Sequence, residues 1–309
     1  MKIEVILTES EIAQELADAM EARDLPEKFF YWLPGSVHAW LALSRTAVYD
    51  GLREGWQLLS GRLADALSHF DDSIPVISFG AGDGSRDLSL IQALRQSSKA
   101  QYFPVDASQP LLELACAAAE DADIETAGIK ADISSPVHLV FASDAAESPK
   151  LFLMSGNTLG AFDPLDEIRH VADCLRPEDR LIVDGELWRE DTLTRRQAKP
   201  VGTFLFAPLL AMGIASEDGN VRFNHKRDER HAGLNQIRRF FHAERDLRAT
   251  LPGREFLFAR GERIGMNFAY AYTPEAFRWL LTEHAGLTIL EEVTTGDERF
   301  LIALCARPK

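Results

Sequence analysis

The chain has 309 residues, 46% of them hydrophobic, with 33 Lys and Arg against 48 Asp and Glu and a formal net charge of −15. That is enough apolar material for one large domain or two, and the acidic balance excludes a general nucleic-acid backbone binder, which needs clustered basic residues. Cys116, Cys174 and Cys305 are widely spaced and form no metal-ligand pattern, and the acidic N-terminal stretch lacks a leader-like apolar run; a cytoplasmic protein handling small molecules, with no metal and no membrane contact, is expected.

Apolar residues at three- and four-residue spacing predict helices over 9–24 and 39–70, separated by the aromatic stretch KFFYWLPGSVHAW. From residue 75 the pattern changes. Strands are expected at 75–80, 100–106, 124–132, 150–157 and 179–186, with helices at 85–97, 108–121 and 164–175 between them. Such alternation marks a parallel, doubly wound sheet. Residues 190–260 break the rhythm and read as a charged, solvated insertion with a helix near 233–247. Two or three further strands around a helix at 274–285 close the chain. The expected division is an N-terminal helical segment in a cap (1–70), a ligand-binding core (71–189), an insertion (190–265), and a C-terminal part completing the sheet (266–309).

The strand ends carry the chemistry. VISFGAGDGSRD runs from an apolar strand into Gly80, Ala81, Gly82 and Gly84, where bare backbone lets a ligand approach and the helix behind aims its amides at it. A tight turn with no ligand is the plainer reading of that stretch. Asp106 ends the next strand, 22 residues beyond Gly84, where nucleotide-binding sheets place an acid for ribose hydroxyls; it could also simply cap the helix that follows. Asp132 and Ile133 end the third strand, placed for an adenine amino group and ring, or for a turn. The fourth breaks into Ser155, Gly156, Asn157 and Thr158. The cluster G-A-G-D-G-S-R lacks the dinucleotide spacing and no Gly-Lys-Ser/Thr follows, so the set fits S-adenosylmethionine better than a dinucleotide. His225 and His231, six residues apart, fit no metal motif and read as a solvated face.

In order along the chain, FFYWLPGSVHAW, ISFGAGDGSRD, YFPVDAS, LFLMSGNTLGAFDP, RPEDRLIVDGEL and AYTPEAF resemble the histidine-specific methyltransferase family, over roughly residues 28 to 305. The resemblance implies a Rossmann-like, seven-stranded α/β methyltransferase sheet under a helical or mixed substrate-capping domain, with S-adenosylmethionine as cofactor. Carried over residue by residue, it implies cofactor contacts at Gly80, Ala81, Gly82, Arg86, Asp106, Ala107, Asp132, Ile133 and Gly156. It places Tyr49 against the substrate as a candidate proton acceptor, with Asn157, Thr158, Ala161, Asn267 and Ala269 also lining the substrate side. Ala161 stands where the histidine enzymes carry Asn, and Asn267 and Ala269 stand in place of a Glu-x-Ser that reads the imidazole. The expected acceptor is therefore the amine of an amino acid or derived metabolite other than histidine. Methylation of an oxygen on a small metabolite, and a non-catalytic ligand-binding homologue, are the alternatives.

Overall fold

The computed structural model describes residues 1–63, 67–68, 70, 73–94 and 99–309. Among these the main sheet has nine strands. Its order is Ile3–Val5, Gly128–Lys130, Lys99–Asp106, Ser73–Phe79, Leu151–Met154, Arg180–Glu186, Phe300–Ala306 and Thr288–Thr294, with Glu125–Thr126 paired beside Lys99–Asp106. Pairing is parallel as far as Arg180–Glu186, and the last two strands run antiparallel. The seven strands expected of the sheet are there, widened by Ile3–Val5 at one edge.

The strands are apolar on both faces because both faces are covered. Ile77, Phe79, Phe152 and Val183 pack with Leu139 and Ile168 on one side, while Val76, Leu153 and Ile182 pack with Trp56, Leu88 and Ile91 on the other. From Ser73–Phe79 the chain winds outward to Gly128–Lys130, then returns to lay Leu151–Met154 on the opposite flank of Ser73–Phe79. The connections after these neighbouring strands leave in opposite directions, and such a switch point opens a crevice at their carboxyl ends.

A second sheet of four strands stands over that crevice, in the order Asp24–Leu25, Arg263–Tyr272, Leu234–Ala243 and Gly219–Arg227. The helices Glu9–Ala22, Pro34–Ser44 and Lys199–Ala211 share one core with it, through Leu16, Phe30, Trp40, Phe204, Phe241 and Met266 among others. Thr8 starts the first of these helices with a capping box closed by Glu11.

Several expectations are corrected. The helix near 233–247 is instead the strand Leu234–Ala243, antiparallel to both neighbours. Ile237, Arg239, Phe241 and Ala243 face inward and Arg238 faces out, so the true period is two. Arginine at both phases disguised it. The insertion is accordingly a sheet with a buried face rather than a solvated arm. The long helix at 39–70 is broken into Pro34–Ser44, a short turn Ala47–Tyr49, and Asp50–Ser60; its far end, like the end of the helix expected at 85–97, lies partly outside the described residues. The strand at 124–132 is two short pieces, Glu125–Thr126 and Gly128–Lys130. No helix among the described residues is long and apolar enough to cross a membrane.

Candidate active site

A cavity of about 460 Å³ lies between the strand ends of the main sheet and the face of the second. Gly80, Gly82, Arg86, Asp106, Ala107, Asp132, Ile133 and Gly156 line it, together with Tyr49, Asn157, Thr158, Ala161, Asn267 and Ala269. Ala81 does not reach the lining. It is buried, and its amide donates to the carbonyl of Val105.

The glycine turn is shaped as a cradle. Gly82 sits at φ +59°, and a Cβ there would meet the Trp40 indole at 2.9 Å, so only glycine lets the ring pack against the turn while the turn's backbone still faces the cavity. The Asp106 carboxylate closes its end: Oδ2 accepts from the amide of Gly82 at 2.9 Å, and Oδ1 from the amide of Ser108 at 2.8 Å. Burial holds this carboxyl above its ordinary pKa, against those bonds. Each oxygen keeps lone-pair capacity for a ligand hydroxyl. Asp132 is more heavily engaged, since Lys28 donates to one oxygen and the Ser134 amide and hydroxyl to the other. Burial would raise its pKa, but Lys28 and Ser134 more than offset that and hold it below the usual range.

Close to Asp132, Glu167 is buried with one oxygen unpartnered. Burial, then Asp132 and Asp166, push its carboxyl from an ordinary 4.5 up to about 8. Its folded pKa is the higher one, so the stability it contributes is whole below pH 4.5 and is lost as pH rises through about 8. Glu167→Gln, which cannot ionise, is expected to match the wild-type melting temperature near pH 4.5 and to exceed it by several degrees at about pH 9. Parallel melting curves across that range would remove the assignment.

The opposite lip is a strained loop. Gly156 lies at φ +89° and Asn157 at φ +60°, two successive left-handed residues. The fully buried carboxylate of Asp184 holds them, accepting from the Gly156 amide at 2.8 Å, the Asn157 amide at 2.6 Å and the Trp56 indole at 2.9 Å. The Asn157 side chain ties the loop to its neighbours: its Nδ2 donates to the carbonyl of Tyr270, and its Oδ1 accepts from the amide of Glu186. The Thr158 hydroxyl donates to the carbonyl of Ser155. Arg86 packs against Gly156 and lies over the Tyr49 ring, 5.6 Å from its centroid. Burial pushes the Tyr49 phenol up.

Several lining residues escaped sequence reasoning. Glu27 has an unpartnered buried oxygen, and burial raises its pKa, with Tyr31 beside it. Glu186, 3% exposed, receives both Arg195 and Arg196. Arg239 donates to Oδ1 of Asn267. One signal was available: Asp184 and Glu186 sit at alternate positions of an otherwise apolar strand, and buried carboxylates there must be bonded. Of the aromatics near the first loop, Trp40 and Tyr31 face the cavity, while Trp32 donates to Glu9 instead. His225 and His231 stack on Trp188 and Trp279, and no cluster of metal-ligating side chains occurs among the described residues.

These residues suit S-adenosylmethionine: a glycine turn whose backbone lines the cavity, a carboxylate at the second strand end, and a guanidinium at the lip for the carboxylate of its methionine part. By sequence, no curated protein matches the chain. Solved structures similar to it include an S-adenosylmethionine-dependent methyltransferase from Clostridium acetobutylicum (14% identity, 85% of this chain and 97% of that one, TM-score 0.44). The CcbJ methyltransferase from Streptomyces caelestis matches at 14% identity over 81% of this chain and 90% of its own, TM-score 0.41. An S-adenosylmethionine-bound amino pentose methyltransferase from Micromonospora echinaspora, involved in calicheamicin biosynthesis, matches at 12% identity over 85% and 95%, TM-score 0.41. The family model described as histidine-specific methyltransferase, SAM-dependent, matches residues 8–196, which span the cradle, both acidic strand ends and the strained loop. The chain belongs to that family of S-adenosylmethionine-dependent methyltransferases.

Proposed function

We propose that this enzyme methylates the amine of an amino acid, or of a metabolite derived from one, other than histidine. The observation that carries the reading is the buried Glu27 carboxyl on the cavity wall, near Tyr31 and Tyr49, with one oxygen unpartnered. A ligand ammonium satisfies that oxygen, and an acid whose pKa burial has raised is suited to take the ammonium proton. S-adenosylmethionine, when bound, supplies an electrophilic methyl group on its sulfonium.

The chain's own residues then orient the partners. The backbone of Gly80, Gly82 and Ala107 forms the cradle, Asp106 takes the ribose hydroxyls, and Asp132 with Ile133 borders the adenine. Arg86 and Gly156 hold the amino-acid end. Positioning supplies most of the acceleration, because the leaving group is already good. Since burial keeps the Tyr49 phenol protonated, Tyr49 serves as a hydrogen-bond partner of the acceptor and Glu27 as the base. Asn157 and Thr158, committed within the loop, shape the acceptor side. Ala161 and Ala269 offer no polar side-chain group and Asn267 no acid at the positions where the family's histidine enzymes read the imidazole, and each hydrogen bond missing there costs about 1–3 kcal/mol.

Tyr49→Phe is expected to lower kcat about tenfold with cofactor affinity unchanged, the loss of one hydrogen bond. Undiminished turnover would take that role away. The reading as a whole is tested by incubating the protein with S-adenosylmethionine and a panel of L-amino acids and their derivatives, then locating the transferred methyl by fragment mass spectrometry. Methyl groups on nitrogen support it. Transfer to an oxygen overturns the amine assignment.

A further inference from the structure

Arg239 stands in a wall between two cavities. With Asp24, Asn267 and Phe268 it lines both the acceptor cavity and a second one of about 270 Å³, whose lining also carries Arg23, Arg238 and Arg263. None of the residues assigned to the cofactor reaches this outer cavity. Arg23 is consumed structurally: it donates to the carbonyls of Met20 and Leu257 and lies over the ring of Phe258. The other three are less engaged: Arg263 lies over the Phe240 ring and Arg239 donates to Asn267. Among the described residues no ion pair forms at Arg238, Arg239 or Arg263, and Asp24 is the one carboxylate in the outer lining.

Arg239 is the sharpest case. It is 4% exposed, it donates through Nη1 to the Asn267 amide oxygen, and its Nε has no partner. Taking a guanidinium out of water with no carboxylate in bonding distance is costly, and an unpartnered buried donor on a cavity wall is open to a ligand. Burial, with Arg196 nearby, pulls its pKa down to about 10, and Glu27, Tyr31 and Glu186, none of them bonded to it, offset this only in part. The backbone is bent to build this contact. The pairing of the two strands shifts register between Arg238 and Phe240, so that Met266 and Asn267 bulge opposite Arg239, and Asn267 sits there at φ +48°, a strained conformation for a residue with a side chain. In a chain of net charge −15, Arg239 on the inner face of its strand, Arg238 on the outer face and Arg263 at the outer cavity make a local positive field that draws anions.

We propose that the acceptor carries an anionic group, carboxylate or phosphate, which Arg239 binds, with Arg238 and Arg263 supporting it from the outer cavity. Glu27 then faces the cationic amine and Arg239 the anion of one substrate. The inference rests on the reading of the main cavity as the acceptor pocket.

The test uses the whole protein loaded with S-adenosylhomocysteine and melted in sodium acetate, sodium phosphate or chloride at equal ionic strength. Wild type is expected to gain roughly 2–4 °C with one of the two probe anions over chloride. Arg239→Met is expected to lose that gain and to melt no lower than wild type in chloride, because it removes a buried charge that is only partly offset. Arg238→Ser, an exposed position that leaves the fold intact, is expected to reduce the gain. A larger gain in acetate identifies a carboxylate, and a larger gain in phosphate a phosphate group. No gain with either anion, or equal gains in wild type and Arg239→Met, overturns the proposal. The two readings fail separately. An Arg239-dependent gain with methyl transfer to oxygen refutes only the amine acceptor, while amine methylation with an Arg239-independent gain refutes only the anion subsite.

Discussion

Asp106→Ala is expected to weaken S-adenosylmethionine binding about 100-fold (~2.8 kcal/mol) while leaving the fold intact. Two contributions add. The variant removes the acceptor for the ribose hydroxyls, and it also releases the Gly82 and Ser108 amides that the carboxylate now holds at 2.9 and 2.8 Å. The glycine turn loses its fixed shape along with its ligand. Asp106→Asn separates the two effects, since an amide keeps the volume but turns one acceptor into a donor facing a backbone N–H. It is expected to bind more weakly than wild type and no better than tenfold above Asp106→Ala. Calorimetric titration with S-adenosylmethionine and S-adenosylhomocysteine reads all three proteins. Affinity within threefold of wild type for Asp106→Ala would remove Asp106 from the cofactor site.

The second large effect is expected at a residue with no place in the lining. Asp184→Ala leaves the amides of Gly156 and Asn157 and the Trp56 indole without their acceptor, all inside the protein. At about 1–3 kcal/mol for each buried donor left unmade, the loss is about 3–6 kcal/mol once partial relaxation is allowed for. It falls on a loop with two successive left-handed residues, which needs outside bonds to persist. Turnover is expected to drop at least about 100-fold, because a displaced Gly156 moves the lip against which Arg86 packs. Asp184→Asn, able to accept on one side only, is expected to fall between. A variant that melts lower yet turns over normally would show that the loop's geometry is dispensable for transfer.

Legibility in the sequence followed the range of the physics. Between residues 73 and 154 the strands that border the cavity run into Gly80, Asp106, Asp132 and Ser155, and local pattern alone placed the crevice and much of the cavity lining. Where a structure depends on distant partners, pattern failed. Leu234–Ala243 carries arginine both inward and outward, so its period of two is visible only beside Arg263–Tyr272. Asp184 resembles any strand acid until Gly156, Asn157 and Trp56 are folded around it. Glu27 and Arg239 have no shared motif, and the sheet's edge strand Ile3–Val5 is too short for periodicity to register. The family resemblance supplied Tyr49, Asn267 and Ala269, which now share one cavity, yet it gave no hint of the guanidinium that holds Asn267.

The two halves of the pocket also mature at different times. Ile3–Val5 pairs with Gly128–Lys130, whereas Asp24–Leu25, only a helix later, must wait for Gly265 and Met266. As the chain leaves the ribosome, the glycine turn and its acidic strand ends can assemble as a unit well before the wall bearing Arg239 and Asn267 exists, since domains fold as their contacts become available. The closing step is a long-range pairing, the slow kind. The strands that carry the glycine turn and its acids thus pair within residues 73–186, whereas the wall that meets the acceptor closes through a contact spanning most of the chain.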